Sequence, residues 1–284
     1  MANQAAKRRR GDRYDATYIP GARDLTGIMP FLMRGRNESV AYIPIDIDAE
    51  PLLAYIAERK GTSNEVTLFQ AVLLAFTKTL RERPTLNRYI IGRRLYQRRD
   101  VVFSFIARRQ MTDDASETNV LVNIKPTDDR AAIVAKLKGE IKVAKSDEQK
   151  QDDKVISAFM HLPRWMLRLA VTAFDAWDFF VDTPGFLRGV DPLRCSIYVA
   201  NLGSVGLRAA PFHHLYEWGT CSIFVVIGKL ESRVVVGPDG EPAVRQILPL
   251  RVTFDERIAD GYYDARSLEL VETYLAAPTL LDDM

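Results

Sequence analysis

The sequence predicts an α/β domain in which strands and helices alternate irregularly along the chain. Residues 40–47 alternate apolar and polar side chains with many β-branched residues, as a half-buried strand does. Residues 64–83 instead repeat apolar side chains at helical spacing. No βαβ nucleotide-binding unit and no glycine-rich phosphate loop is present, so the pattern indicates one layered α/β structure of another type.

Composition supports a folded core and gives no overall attraction to nucleic acid. The 284 residues are 47% hydrophobic, and 39 basic against 37 acidic residues leave a formal charge of +2. We predict a flexible basic N-terminal arm over residues 1–24 and one folded domain over residues 25–284. The polar start has no apolar signal region, so we expect a cytoplasmic location.

The elements of the first half follow from local signals. Pro51 begins a helix over residues 52–58 that Gly61 closes. Asn64 is the predicted N-cap of the next helix, which Pro84 ends. Further elements are two strands and an amphipathic, lysine-rich helix, at residues 99–107, 120–124 and 131–145.

The most apolar stretch, residues 159–187, is interrupted by arginines and aspartates too often to span a bilayer. Its apolar residues form one helical stripe: Leu162, Trp165, Met166, Leu169, Ala173, Trp177 and Phe180. We predict that this stripe packs on the protein's own core or on a neighbouring subunit. Association with a membrane surface is the less favoured alternative, because the polar face mixes acids with arginines.

The last third is rich in strands, and it also contains both cysteines. Strands are predicted at residues 196–200, 222–227, 233–236 and 246–254, with a hairpin turn at 238–240 and a final helix at 265–276. Cys195 and Cys221 have no Cys-x-x-Cys neighbour and no histidine at ligand spacing. We therefore expect two reduced core cysteines and no metal site.

Two motifs in this region carry a resemblance to a known family. Residues 255–261 read Asp-Glu-Arg-Ile-Ala-Asp-Gly, and residues 199–203 read Val-Ala-Asn-Leu-Gly. They resemble the D-H-R-x-x-D-G and T-x-S-N-L-G motifs of the dihydrolipoyl acyltransferases of 2-oxo acid dehydrogenase complexes. Glu256 takes the place of the motif histidine, and Ala200 takes the place of the serine.

The resemblance extends more weakly to the R-P-T-L-N run at 83–87, and so covers about residues 25–282. The H-H-L-Y-E-W-G-T run at 213–220 is similar to a segment of freestanding bacterial acyltransferase-like proteins, which also carry D-E-R-I-A-D-G. The family implies a chloramphenicol acetyltransferase-like fold: a mixed sheet with flanking helices that assembles as a trimer. It also implies coenzyme A thioesters as substrates, with an active-site channel between chains.

The two replacements put the family's mechanism in doubt. There, the histidine is the general base for a thiol and the serine donates a hydrogen bond to the oxyanion. A glutamate with an ordinary pKa near 4.3 is a weak base for a thiol near 8.5, and Ala200 has no side-chain donor. The two losses together correspond to about 10⁴-fold in rate if each is of typical size.

Three alternatives remain open. His213 or His214 supplies the base, against the simpler interpretation that these residues line a loop. Glu256 serves a different reaction, by activating an alcohol, an amine or water, or it makes only a structural ion pair. In the third alternative the chain keeps only the fold, as a binding or scaffold subunit.

Other motif positions are assigned structural roles. In the family fold the motif aspartate pairs with an arginine from the N-terminal region, so we predict a buried ion pair between Asp260 and Arg36. Gly261 is expected to relieve a steric constraint where the last helix begins. Asn201 is the structural residue of the second motif.

We expect no lipoyl group on this chain. Lys154 matches part of a lipoylation site, but no hairpin domain surrounds it, and the residues before the domain are too few for a lipoyl domain. The sequence therefore predicts CoA-dependent acyl transfer to an unknown acceptor at an intersubunit channel of a homotrimer, with larger assemblies left open. The alternative is a catalytically inactive structural or regulatory trimer.

Overall fold

The computed structural model describes residues 9–20, 25–108, 117–145, 161–207, 210–237 and 239–284. The strands are β1 (Ala16–Tyr18), β2 (Val40–Asp48), β3 (Arg88–Ile91), β4 (Arg94–Arg98), β5 (Val101–Arg108), β6 (Glu117–Ile124), β7 (Ile197–Asn201), β8 (Ile223–Ile227), β9 (Glu231–Val236) and β10 (Pro242–Asp255). The helices are α1 (Leu25–Leu32), α2 (Glu50–Arg59), α3 (Leu68–Glu82), α4 (Arg130–Lys145), α5 (Arg164–Phe180) and α6 (Gly261–Ala276).

A seven-stranded mixed sheet forms the centre of the domain. Its strand order is β2-β10-β8-β7-β5-β6, and β9 pairs with the first half of β10. Strand β7 runs parallel to both β5 and β8, and the other pairs are antiparallel. The predicted mixed α/β sheet with flanking helices is confirmed.

Both faces of this sheet are covered, which explains the nearly continuous apolar runs of its central strands. Val199, Val225 and Val252 lie in the main core, against which the helices pack. The intervening residues on β7 and β8, such as Tyr198 and Phe224, belong to a second apolar cluster with Leu215 and the two cysteines. The chain between β7 and β8 therefore covers the second face.

A small three-stranded sheet, ordered β1-β4-β3, includes part of the segment that was predicted to be a flexible N-terminal arm. Within residues 1–24, β1 pairs with β4, and Arg13 is buried against Asp178 of α5 at 2.8 Å. Arg194 binds the same carboxylate at 2.7 Å. Backbone pairing and a buried charge hold residues 9–20 on the domain, and sequence reasoning saw neither because their partners are distant in sequence. Residues 1–8 and 21–24 lie outside the described residues.

Several other boundaries differ from expectation. The N-cap of α3 is Thr67, which forms a capping box with Gln70, and Asn64 lies before the helix. Helix α1 and the short strands β1, β3 and β4 were not predicted. Lys154, which matches part of a lipoylation site, falls outside the part of the chain that the structure describes.

Helix α5 presents its apolar stripe to the exterior of the chain. Trp165 is 69% exposed, Leu169 is 63% exposed and Phe180 is 70% exposed. The side of the helix that packs inward is centred on Phe174 and the buried Asp178. Among the described residues, the stripe therefore does not pack on the core of its own chain. Its contact with a neighbouring subunit or with a membrane surface stays a prediction. Among the described helices, none is long and apolar enough to cross a membrane.

We predict that Asp178→Ala lowers the free energy of unfolding by about 3–5 kcal/mol, because two buried guanidinium groups lose their carboxylate. The matched control is Asp175→Ala, one turn earlier on the exposed side of α5, with an expected change within about 0.5 kcal/mol. Chemical denaturation followed by circular dichroism measures both. Equal effects of the two substitutions would contradict the proposed anchoring of the N-terminal segment.

Candidate active site

The loop between β10 and α6 holds Glu256 on a fixed backbone. Its amide donates a hydrogen bond to the Ser39 carbonyl at 2.8 Å, and the Ile258 amide closes a turn back to Asp255 at 3.1 Å. The Glu256 side chain is exposed and makes no hydrogen bond to any described residue. The Glu256 carboxylate is therefore open to solvent on an ordered loop.

The order of this loop comes from a buried ion-pair cluster centred on Asp255. Arg257 binds both carboxylate oxygens, with Nε to Oδ1 and Nη2 to Oδ2 each 2.8 Å. Arg36 Nε lies 4.0 Å from Oδ2. All three side chains are at most 4% exposed. This two-point arginine contact is the strong form of a carboxylate–guanidinium pair.

Arg36 joins this cluster to the segment that precedes β8. Its guanidinium donates to the carbonyl oxygens of Glu217 at 2.8 Å and Gly219 at 2.6 Å, and to Ile90 at 3.2 Å. The Glu217 carboxylate in turn accepts from the amides of Arg36 and Asn37, each at 2.9 Å. Burial opposes ionisation of Glu217, but these hydrogen bonds prevail and its pKa is lowered.

The predicted ion pair between Arg36 and Asp260 is therefore wrong. Asp260 is exposed and caps α6, where its Oδ1 accepts the Tyr263 amide at 2.7 Å. The carboxylate that meets Arg36 is Asp255, because the last residue of β10 points toward Arg36 whereas Asp260 begins the helix. Gly261 also differs from expectation, since an added Cβ there would meet no atom within 4 Å.

The two adjacent histidines lie over the second face of the sheet. The His213 carbonyl accepts the Thr253 hydroxyl at 2.7 Å, and the His213 ring stacks on Phe224 with centroids 4.0 Å apart. Burial lowers the pKa of His213, an effect that its contact with the His214 carbonyl opposes. No contact between Glu256 and either histidine is found among the described residues. If Glu256 is catalytic, we expect His213 or His214 of the same or a neighbouring chain within hydrogen-bond reach of it, since a carboxylate can orient an imidazole base. Within one chain that pair is not formed among the described residues.

Ala200 lines a cavity of about 430 Å³ at the other end of the sheet. The cavity walls are mostly apolar and include Phe69, Phe105 and Ile141. Asn201 shapes the rim, since its Oδ1 accepts the Ser204 amide at 3.3 Å and caps a short 3-10 turn. Thr67, the N-cap residue of α3, also lines the cavity.

Strand register separates Glu256 from Ala200. Ala200 is level with Val226 of β8, which is level with Arg251 of β10. Glu256 lies five residues beyond Arg251, just after the end of β10, which corresponds to roughly 17 Å along the strand direction. One chain therefore cannot bring these two motif positions to the same bound atom.

Arginines line a second cavity, of about 300 Å³, between α1, α5 and the β3–β4 turn. Arg34, Arg93 and Arg257 reach it, and Arg93 adopts a left-handed backbone (φ 57°). Three acids line it as well, namely Asp175, Asp178 and Glu217. Asp178 and Glu217 are bound to the partners described above, and so is Arg257, which pairs with Asp255. The guanidinium groups of Arg34 and Arg93 suit the binding of a phosphate group in this cavity.

Sequence reasoning missed Asp264, on the first turn of α6. It is 0% exposed, and neither carboxylate oxygen has a hydrogen-bond partner. A signal was present: Asp264 is in phase with the buried residues of α6, which include Ser267, Leu268 and Val271. An acid without a hydrogen-bond partner at a buried helix position is unusual, because buried polar groups are normally hydrogen-bonded.

The prediction of two reduced core cysteines is confirmed. Cys195 and Cys221 are buried, unbridged and level with one another just before β7 and β8. No group of three or more His, Cys, Asp or Glu side chains arranged to hold a metal ion occurs in the described ranges.

We predict different stability losses for the two motif aspartates. Asp255→Ala leaves Arg36 and Arg257 buried without a carboxylate and should cost about 3–5 kcal/mol in unfolding free energy. Asp260→Ala removes only a helix cap and should cost about 1 kcal/mol. Urea denaturation of both variants measures the difference. A larger loss for Asp260→Ala would restore the pairing that the sequence suggested.

Comparison with known proteins finds a family model that matches the C-terminal third and solved structures that match the fold. Residues 191–282 match the family model described as 2-oxoacid dehydrogenases acyltransferase (catalytic domain). This segment contains both Ala200 and Glu256. The sequence has no match among curated proteins.

Solved structures match nearly the whole chain at low identity. A probable dihydrolipoamide acetyltransferase from Listeria monocytogenes is 15% identical, with a TM-score of 0.60 and coverage of 95% of this chain and 96% of that one. A dihydrolipoamide acetyltransferase from Azotobacter vinelandii, studied for the role of a serine, a histidine and an asparagine in catalysis, is 16% identical, with a TM-score of 0.60 and coverage of 93% and 94%.

A chloramphenicol acetyltransferase is 13% identical, with a TM-score of 0.54 and coverage of 92% of this chain and 99% of that one. The resemblance inferred from the two motifs is thereby confirmed. The chain has the chloramphenicol acetyltransferase-like fold, and its residues 191–282 match the acyltransferase catalytic domain of the 2-oxoacid dehydrogenases.

Proposed function

We propose that the protein is a CoA-dependent acyltransferase whose active site is shared between neighbouring chains of a homotrimer. In this proposal Glu256 of one chain meets the cavity around Ala200 of the next. The observation that carries it is the separation of these positions along the sheet, together with an exposed carboxylate at one end and a cavity at the other. The exposed apolar stripe of α5 supports a subunit contact.

The cavity suggests how the missing serine is replaced. Thr67 Oγ1 accepts the Gln70 amide at 3.2 Å, which leaves the hydroxyl hydrogen available to an oxyanion. The apolar walls suit an acyl group or an apolar acceptor. The arginine-lined cavity suits the phosphates of CoA. Glu256 would accept the proton of the acceptor's hydroxyl, amine or thiol group as that group attacks the thioester carbonyl.

A second candidate is a non-catalytic structural or regulatory trimer that retains the fold. The observation that favours it is the replacement of both motif residues, a histidine and a serine, by Glu256 and Ala200. The two candidates differ in one measurable respect, which is the consumption of acyl-CoA in the presence of acceptors.

We predict that Glu256→Gln lowers turnover by at least about 10²-fold and leaves CoA affinity nearly unchanged, because the amide cannot accept the proton. Acyl-CoA consumption with a panel of acceptors and CoA binding by calorimetry give the two readouts. The control is Glu58→Gln, a glutamate 75% exposed on α2. CoA binding without any consumption by the unaltered protein would instead support the non-catalytic trimer.

Mixing two inactive variants tests the shared site. Ala200→Phe fills the cavity and Glu256→Gln removes the base, so each variant alone should be inactive. In randomly mixed trimers about a quarter of the sites combine an intact Glu256 with an intact cavity, and activity should recover to about that fraction. Light scattering gives the chain number. Lack of recovery in trimers shown to be mixed would place the site within one chain.

A further inference from the structure

The cavity around Ala200 is larger than an acetyl group requires. Its volume is about 430 Å³, whereas an apolar protein cavity of about 150 Å³ holds a benzene ring. On this scale the cavity accommodates the thioester and an unbranched chain of about eight carbons, with part of its volume left to solvent. The volume of the cavity therefore matches a medium-chain acyl group.

Apolar side chains from β5, α3 and α4 form one wall of the cavity. The rings of Phe69 and Phe105 contact each other edge to face, with centroids 5.0 Å apart. Phe105 is buried, but Phe69 and Ile141 are only partly buried where they pack against the main core. Contact with an apolar ligand would remove the uncovered surface of these two side chains from water, which is favourable.

The cavity is open to solvent at a side marked by exposed apolar residues. Ile106 is 48% exposed and Val205 is 56% exposed, and both line the cavity. Apolar side chains at the opening as well as along the wall suit a ligand that is apolar over its whole length.

Polar groups of the cavity are largely engaged within the protein. The Ser204 hydroxyl donates to the Asn201 carbonyl at 2.7 Å, and Asn201 Oδ1 accepts the Ser204 amide at 3.3 Å. The Tyr198 hydroxyl donates to Asn119 Oδ1 at 3.4 Å. Among the described residues that line the cavity, none carries a charge. A ligand carboxylate buried here would lack a cation, so the cavity disfavours acyl groups that end in a carboxylate.

The chemistry of a thioester decides which part of the substrate enters the cavity. Its carbonyl carbon carries an oxygen, the CoA sulfur and the acyl chain. The proposed function sets the oxygen at the Thr67 hydroxyl and the acceptor at Glu256 of the next chain. The nucleotide portion of CoA is charged and would lose its hydration between apolar walls. The acyl chain is therefore the substituent that fits the cavity.

We propose that this cavity selects an uncharged, medium-chain acyl group of about eight carbons, and that Phe69 and Ile141 determine the chain length. The inference rests on the proposed function and deepens it, because it names the class of acyl group. Phe69 of α3 and Ile141 of α4 determine specificity by direct contact with the chain, since both line the cavity and both have uncovered side-chain surface. An acetyl group would leave that surface in water.

Binding of acyl-CoA thioesters without an acceptor gives the first test. Calorimetry with acetyl-, butyryl-, hexanoyl-, octanoyl- and dodecanoyl-CoA compares chains on one head group, so the contribution of CoA itself cancels. Each added methylene group should tighten binding by up to about fourfold until the cavity is filled. Octanoyl-CoA should bind at least about 10²-fold more tightly than acetyl-CoA. Equal affinities for these two would overturn the proposal and would favour an apolar acceptor as the occupant.

Succinyl-CoA is the matched control for charge, because it has the same number of acyl carbons as butyryl-CoA and adds a terminal carboxylate. It should bind more weakly than butyryl-CoA, since the cavity offers the carboxylate no cation. Tighter binding of succinyl-CoA would contradict the selection of an uncharged chain.

Two substitutions of opposite effect on volume test the specificity residues. Ile141→Trp reduces the cavity and should move the preferred chain to about four carbons, whereas Phe69→Ala enlarges it and should move the preference to about twelve. The control is Val143→Trp, also on α4, at a position that is 42% exposed and does not line the cavity. It should leave the preferred length unchanged.

Circular dichroism confirms that each of these variants is folded. A purely structural role would weaken the binding of every thioester alike. Loss of affinity without a change of preferred length, in both Ile141→Trp and Phe69→Ala, would therefore overturn the role of these residues.

Acyl transfer then separates this inference from the proposed function. With a panel of acceptors, faster consumption of octanoyl-CoA than of acetyl-CoA supports both. Binding that depends on chain length, with no transfer from any thioester, would remove the proposed function and leave the cavity as an acyl-binding site. Transfer of acetyl and octanoyl groups with equal affinities and equal rates would remove the chain-length inference alone.

Discussion

The buried cluster of Asp255, Arg257 and Arg36 is the interaction on which the rest of the site depends. It joins the end of β10, the segment before β2 and the chain that covers the second face of the sheet. These segments are far apart in sequence, and each would leave a buried charge unpaired if it moved away alone. The loop that carries Glu256 is therefore fixed by charge pairing, whereas the sheet beneath it is fixed by apolar packing.

The large sheet could be predicted because its strands obey local rules. The central strands β7 and β8 are short apolar runs, and β2 has the β-branched alternation of a half-buried strand. The small sheet could not be predicted in this way. Strand β1 has three residues, and it is held by Arg13 and Asp178, whose 165-residue separation no local pattern reveals.

The site was predicted in part, for a related reason. The motif located Glu256 and Ala200, but both Asp255 and Asp260 were chemically able to pair with Arg36. The turn between β10 and α6 decides between them, since one carboxylate ends a strand and the other caps a helix. The burial of Asp264 could have been predicted from its helical spacing to Ser267 and Leu268, although an acidic residue on a helix is normally taken for a surface residue.

The separation of Glu256 and Ala200 along the sheet has a consequence for how such a catalyst behaves on dilution. If each site is completed by the next chain, catalysis requires association. A well-folded chain at a concentration below the dissociation constant of the trimer then has no activity. Specific activity then reports the concentration of chains as well as their chemistry. A cell that makes few copies would lose the activity abruptly, without any chain unfolding.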